Sequence, residues 1–405
     1  MNEPKLRFKA DDGSQFPDWE EKKFHEVIKL YRGSSPRPIV EYIVDDNQGS
    51  NWIKISDIPQ NGNVIITVKE HISKEGAKKS RAVYKGEIIL SNSMSFGKPC
   101  ILGIDGFIHD GWFVVREYEK YLNKWYLCQL LSSDIMYKQY RRLAAGGVVL
   151  NISSEIVNST KISVPSLPEQ QKIADFLSTI DTVIAKQKET VSAWEERKKG
   201  VMQKLFSQEV RFKADDGSDF PEWEEKKLGE VSDIMTGNTP STKQEDYYGG
   251  CYLWVTPTDI TDSREVSVTA KKLTELGYTV ARHIPANSVL VTCIASIGKN
   301  AIIRENGSCN QQINSITPYN DYSVEFVYYL ICQNERLLHA NAGAGGMEIL
   351  NKDSFSKIKM YFPCLAEQQK IADCLSSLDE VIEKQKATLA AWEELKKGLL
   401  QQMFV

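Results

Sequence analysis

Two long, unlike stretches of this 405-residue chain carry clusters of short polar and basic side chains in segments punctuated by glycine and proline. In the first stretch they are Ser35 and Arg37; Lys78, Lys79 and Arg81; Ser91, Asn92 and Ser93; Lys98; and Arg141 and Arg142 leading into Gly146 and Gly147. In the second they are Thr239, Ser241 and Lys243; Lys271 and Lys272; Ser296; Lys299 and Asn300; Asn310, Gln311 and Gln312; and Gly345 and Gly346. Arg and Lys suit phosphates and guanine edges, while Asn and Gln suit adenine edges. Any one such residue is more often part of a solvated polar loop, and a glycine pair can simply be a turn. Together the clusters are candidates for a nucleic-acid surface.

Catalytic chemistry finds no comparable foothold. A phosphate-wrapping loop needs GxxxxGK[ST]. Gly97-Lys98 runs into Pro99 and Gly298-Lys299 into Asn300, and neither has a glycine five residues before its Gly-Lys. No GxGxxG, GxSxG or HExxH is present, nor a tetrapeptide of the Asn-Pro-Pro-Tyr kind carried by amino-methyltransferases. Acidic residues abound, but no spacing recommends a nuclease-type carboxylate cluster. The eight cysteines form no CxxC pair and the five histidines do not join them at ligand spacing, so no metal site is expected and the thiols read as reduced, mostly buried small residues.

These clusters must be positioned by something, and the chain supplies it twice. Leu6 to Val27 returns as Val210 to Val231 with 17 of 22 positions identical, and Glu169 to Phe206 returns as Glu367 to Phe404. The order is short segment, long unique region, helix, repeated once. Both copies of the second repeat carry a seam whose steps alternate four and three. The first runs Ile173, Leu177, Ile180, Ile184, Gln187, Val191, Trp194, Lys198, Val201, Leu205; the second runs Ile371, Leu375, Leu378, Ile382, Gln385, Leu389, Trp392, Lys396, Leu399, Met403. That spacing is a coiled-coil seam, and a Gln in it fixes alignment at some cost in stability. At 1.5 Å per residue each helix is about 60 Å long. Two separate amphipathic helices, each docked on its own domain, are the plainer reading; the matched register favours helices that pack on each other, antiparallel if the halves are related by a pseudo-twofold axis. Ser166 with Glu169 predicts a capping box on the first helix, while Cys364 in the matching place predicts a looser start for the second. Only four residues separate Phe206 from Val210, so the same geometry at the other junction predicts that Phe404 lies close to Leu6 and the chain is nearly circular.

Composition is that of an ordinary soluble globular protein, with no apolar run long enough to span a bilayer and no basic-then-apolar start, so a cytoplasmic protein is expected. The net charge of -4 argues against a uniformly basic nucleic-acid binder. Its distribution is uneven: residues 28–163 hold 18 Lys and Arg against 13 Asp and Glu, whereas residues 232–361 hold 11 against 13.

The unique regions share landmarks. Gly33-Ser34-Ser35-Pro36 answers Gly237-Asn238-Thr239-Pro240, the stretch from Trp52 to Ile58 answers that from Trp254 to Ile260, and Ser95-Phe96-Gly97-Lys98 answers Ser296-Ile297-Gly298-Lys299. Strands are expected at 63–68, 87–91, 113–115, 288–292 and 300–304, and helices around 117–140 and 323–340. The expected class is α+β: two globular mixed α/β domains joined by two long antiparallel coiled-coil helices in a pseudo-twofold circular arrangement. The divisions are a repeated segment 1–27, a domain 28–163, a central helix 164–209, a repeated linker 210–231, a second domain 232–361 and a C-terminal helix 362–405.

Two motifs carry a resemblance over nearly the whole chain: the paired helix starts at Pro168 to Asp175 and Ala366 to Asp373, and the duplicated Phe-Pro-Asp/Glu-Trp-Glu-Glu-Lys-Lys at 16–23 and 220–227. In these the chain resembles the specificity subunit of type I restriction–modification systems. The resemblance implies two target-recognition domains, each reading one half of a split asymmetric site in double-stranded DNA, and a helix pair that sets the unread spacer. It implies docking of two modification subunits that carry S-adenosylmethionine and methylate adenine, and of ATP- and Mg-dependent restriction subunits, with no cofactor and no catalysis on this chain. Half-sites read from one face of a duplex lie roughly 34–36 Å apart, within reach of such a coil. Open beside it stand the subunit of a related restriction enzyme that cleaves near its site, an assembly scaffold that binds no DNA, and an enzyme active on its own.

Overall fold

The computed structural model describes residues 4–45, 48–59, 62–92, 97–143, 151–343 and 348–404. The chain divides into two compact units, residues 1–190 with 385–405, and residues 191–384.

In the first unit the repeated segment supplies strand Glu20–Lys23, which pairs antiparallel with Lys161–Val164, the strand directly before the first long helix. Between these lie two five-stranded sheets. One has the order 29–32, 112–116, 88–91, 99–102, 64–65, and the other 43–44, 70–72, 50–53, 106–108, 81–83. The central strands of the former are buried on both faces and show the period of two that a strand imposes. Ile88, Leu90, Phe113 and Val115 enter one core with the helices Lys124–Leu131 and Asp134–Leu143, while Ile89, Trp112 and Val114 enter the other with Ile53, Val83 and Ile108 of the second sheet.

The second unit repeats the plan. Strand Glu224–Lys227 pairs with Lys359–Phe362, and a five-stranded sheet has the order 232–236, 313–318, 288–292, 300–303, 265–266. Val289 and Val291 face one core and Leu290 the other. The companion sheet here has three strands, 272–273, 248–255 and 308–309. Gly33 and Gly237 explain the first shared landmark. A Cβ at Gly33 would meet the His109 carbonyl oxygen at 2.0 Å, and one at Gly237 the Cys309 oxygen at 2.2 Å, so the main chain can cross only where no side chain exists.

The long helices are Leu167–Phe206 and Leu365–Met403. In the first unit, residues 167–190 pack against 385–404: Ile173, Leu177, Ile180 and Ile184 share a core with Leu389, Trp392, Leu399 and Met403. The direction is antiparallel, since Asp181 meets Lys396 at 2.5 Å and Gln187 meets Gln385 at 2.7 Å. In the second unit Val201 and Leu205 share a core with Ile371, Leu375 and Leu378, and Lys198 meets Asp379 at 2.5 Å. Each seam Lys thus bonds an Asp of the facing helix. The two ends of the chain meet in the first unit, where Leu6 N donates to Gln402 O at 3.1 Å and Phe404 lies 5.4 Å from the Tyr126 ring.

Several local expectations are corrected. The stretch 63–68 pairs only at Val64–Ile65. The single helix expected over 117–140 is two, because Asn123 caps the first, its side-chain oxygen accepting from Trp125 N and Tyr126 N, and the chain breaks at Ser132-Ser133. The stretch 323–340 divides at Asn334 in the same way. The capping box does not form: Ser166 Oγ is buried without a hydrogen bond, and Glu169 turns to other partners. The second helix is not looser at its start, since Glu367 and Gln368 are as fully buried as Glu169 and Gln170.

Candidate nucleic-acid interface

Each candidate surface is built on a frame whose parts come from the repeats. Arg7 lays its guanidinium along the Glu169 carboxylate, Nε to Oε1 at 3.1 Å and Nη2 to Oε2 at 3.0 Å, and Trp19 Nε1 donates to the same Oε2 at 3.1 Å. Arg211, Glu367 and Trp223 reproduce this at 3.1, 2.8 and 3.2 Å. Both carboxylates are fully buried, which is tolerable only with a paired, hydrogen-bonded cation. The next residue ties the frame to the domain it carries. Gln170 Oε1 accepts from Asn123 N at 2.7 Å and Nε2 donates to Tyr121 O at 2.8 Å, while Gln368 Oε1 accepts from Ser323 N at 2.9 Å. Lys172 and Lys370 donate to Lys9 O and Lys213 O, each at 2.8 Å. The Glu-Gln-Gln-Lys motif is therefore a docking plate for the N-terminal repeat and for one domain helix. Sequence reasoning missed this role for Arg7 and Trp19; that each stands in both copies of the repeat was the signal available.

On this frame the loop after Gly33 or Gly237 is fastened alike in both units. Ser34 Oγ donates to Lys79 O at 3.0 Å, and Asn238 Nδ2 donates to Val280 O at 3.2 Å. Beyond that point the two surfaces diverge. In the first unit Ser35 Oγ and Arg37 contact Asp110, at 2.8 and 3.3 Å. Burial pushes the Asp110 carboxyl up, but the Ser35 hydroxyl, its own main chain and nearby cations outweigh it, leaving it below the ordinary value. Lys79 lies over the Tyr42 ring, Arg81 over Tyr31, and Arg141 over Tyr137. Arg37, Lys78, Lys79, Arg141 and Arg142 are exposed, while Arg81 and Lys98 are half-buried.

In the second unit Thr239, Ser241, Lys243, Lys271, Lys299 and Gln311 are exposed, and Lys272, Ser296 and Gln312 half-buried. Thr239 Oγ1 donates to Gln311 Oε1 at 2.5 Å, orienting that amide. Four candidates spend their polar groups internally. Ser91 is buried and accepts from Lys98 N, and Asn92 donates to Asp110 O. Asn300 donates to Tyr328 O and Asn310 to Gln312 Oε1, with 8% and 7% of their surfaces exposed. They hold loops in shape. Ser93, Gly146, Gly147, Gly345 and Gly346 lie outside the described residues.

The seam residues Ile173, Leu177, Ile180, Ile184, Val191, Ile371, Leu375 and Ile382 are buried; Gln187, Trp194, Val201, Leu378, Gln385, Leu389, Trp392 and Leu399 are half-buried. The described residues hold no cluster of three or more His, Cys, Asp or Glu able to bind a metal ion, and no helix among them is long and apolar enough to cross a membrane.

Residues 17–192 and 221–391 match the family described as the type I restriction modification DNA specificity domain. The chain belongs to that family. Among relatives, it is 31% identical over 211 residues to the specificity subunit of type I restriction enzyme MjaIX of Methanocaldococcus jannaschii, covering 49% of this chain and 48% of that one. It thus spans about half the length of that relative. It is 23% identical over 418 residues to the MjaVIII specificity subunit of the same organism, covering 97% and 94%. Among solved structures, the type I restriction-modification S subunit from M. genitalium has the same fold, with a TM-score of 0.58 and 15% identity over 100% of this chain and 99% of that one. The two matched segments each take in the latter half of one N-terminal repeat, one unique region and part of one long helix, so the specificity domain occurs here twice.

Proposed function

We propose that this chain is the DNA-recognition subunit of a type I restriction–modification complex. Residues 28–163 form one target-recognition domain and 232–361 the other, on the repeated segments 1–27 and 210–231 and the helices 164–209 and 362–405. Each domain reads one half of a bipartite, asymmetric site in double-stranded DNA. The paired helices set the spacer and dock two modification subunits. Those partners carry S-adenosylmethionine, and restriction subunits that join them carry ATP and Mg; this chain supplies the address and no chemistry.

The observation that carries the reading is sameness beneath difference. One Arg–Glu–Trp frame and one sheet order recur in both units, while the exposed groups they carry are unlike, Arg37, Lys78 and Lys79 in one and Thr239, Lys243 and Gln311 in the other. Like frames with unlike polar loops suit an asymmetric target, because base identity is read by side chains and register by the frame. The reading places base contacts among the exposed candidates and gives Ser91, Asn92, Asn300 and Asn310 the task of shaping loops.

Methylome sequencing of cells that express the chain with its modification subunits tests this. The expected result is adenine methylation in a split motif with a fixed spacer. Methylation of a single uninterrupted motif, or none attributable to this chain, would overturn it.

A further inference from the structure

Net charge leaves the second recognition domain without an evident hold on DNA, but local geometry supplies one. A cleft of about 640 Å³ in that unit is lined by Met235, Thr236, Thr279, Ala281, Arg282, His283 and Lys352, with no carboxylate among them. Resting on the functional reading above, we infer that Arg282 and Lys352 seat a backbone phosphate of the second DNA half-site, against the ring of His283.

The two cations are free of carboxylate partners among the described residues, as an anion seat requires, and the ring is held in place. Arg282 is exposed, and one of its guanidinium nitrogens donates to Thr236 O at 2.7 Å, which fixes the group; among the described residues it has no carboxylate partner. His283 stacks on Tyr278 at 4.1 Å and 6°, and Tyr278 stacks on Tyr252 at 4.3 Å and 2°. Its Nε2 donates to Tyr278 O at 2.8 Å, so the ring is pinned as one wall of the cleft, while Nδ1 of the neutral ring is an acceptor that offers a phosphate no hydrogen. Lys352 is exposed and makes no ion pair among the described residues. Two such cations around one concavity, in a region with more acid than base, form a local positive site that the regional sum conceals.

The first domain supports the assignment independently. Counting from the shared helix caps Ser73 and Thr274, Arg81 stands where Arg282 stands. Arg81 Nε donates to Arg32 O at 3.1 Å, and Arg32 precedes Gly33 as Thr236 precedes Gly237. Both domains therefore carry an arginine clipped to the carbonyl before the crossing glycine. A group common to both half-sites cannot discriminate bases, and a phosphate is the ligand common to every sequence.

The seat also adjoins a candidate reader. Thr236 begins the segment whose Thr239 orients Gln311, so a phosphate held at Arg282 fixes the strand beside that amide.

The test uses the chain assembled with its modification subunits, a duplex containing the methylated motif, and Lys352→Gln, Lys352→Arg and His283→Gln variants. Removing one phosphate contact should weaken binding about eightfold at 0.1 M salt and reduce the salt-dependence slope by about one. Lys352→Gln should do both and leave the motif unchanged by methylome sequencing, and Lys352→Arg should restore both. His283→Gln keeps both cations and should leave the slope unchanged; a slope reduced by about one would overturn the assignment of the charge to Arg282 and Lys352. Unchanged affinity and slope in Lys352→Gln, with the wild-type complex binding normally, would overturn the seat and leave the functional reading standing. A changed base at any motif position would also overturn it, by making the contact a base contact. A wild-type complex that binds no specific duplex would defeat both ideas together.

Discussion

Gln187 donates from Nε2 to the Gln385 side-chain oxygen at 2.7 Å and to the Gln385 main-chain oxygen at 3.0 Å. Two amides that occupy equivalent places in the repeat thus meet in a seam that is otherwise largely apolar. A slipped register would leave each half-buried amide against aliphatic neighbours, so the pair favours one alignment of the helices.

Changing Gln187→Leu strands the Gln385 amide and should lower stability by about 1–3 kcal/mol in urea unfolding. Changing both to Leu should recover most of that, since neither amide is then orphaned. Recovery of stability should come with loss of register, seen as methylation at more than one spacer length; a double variant with a single unchanged spacer would show that the apolar seam alone sets alignment.

The Glu169 and Glu367 carboxylates are the buried centres of their frames. Glu169→Ala leaves Arg7 and the Trp19 ring nitrogen without their shared acceptor, and should cost about 3–5 kcal/mol. Glu367→Ala should cost the same in the second unit, because Arg211 and Trp223 stand as their counterparts do. Tryptophan fluorescence during denaturant titration reads both, and a loss under 1 kcal/mol in either would mean that apolar packing holds the frame without the ion pair.

Exchange of residues 28–163 for the corresponding region of another family member should alter one half-site and leave the other and the spacer intact. Insertion of matched heptads into both long helices should do the reverse. Methylated motifs mapped before and after each change give the outcome, and altered base identity from a helix insertion would contradict the division of labour.

Burial pushes the thiol of Cys100 up to about 11 and those of Cys128 and Cys293 up to about 12, whereas Cys251 is exposed. The thiolate is the reactive form, so these three should resist a thiol reagent at neutral pH and Cys251 should react first. Mass spectrometry after brief alkylation identifies the labelled residue; prompt labelling of Cys128 in folded protein would show that its core opens.

Much of the architecture was legible in the repeats. The four-three alternation from Ile173 to Leu205 announced the seam, and Gln187 with Gln385 announced its alignment, because a helix turns a fixed angle per residue and sequence spacing becomes a face. The landmark at Gly33 and Gly237 showed that the unique regions share a plan. The role of Glu169 was not legible. Three residues from Ser166 it fitted a local cap, and the arginine that claims it lies 162 positions away. The polar clusters misled in the same direction. Asn92 and Asn300 have the chemistry of base readers, but segments distant in sequence close over them, and exposure is what a sequence does not state.

By itself the sequence determined which segments repeat, where the helices run and which of their faces are apolar, since all of these follow from periodicities a chain carries along its own length. Only the tertiary structure decided which carboxylate would pair with Arg7, which candidates would reach the surface, and that Arg282, His283 and Lys352, scattered over 71 positions, would line one cleft. Such choices depend on distances between residues far apart in the chain, and those distances exist only once the sheets have closed.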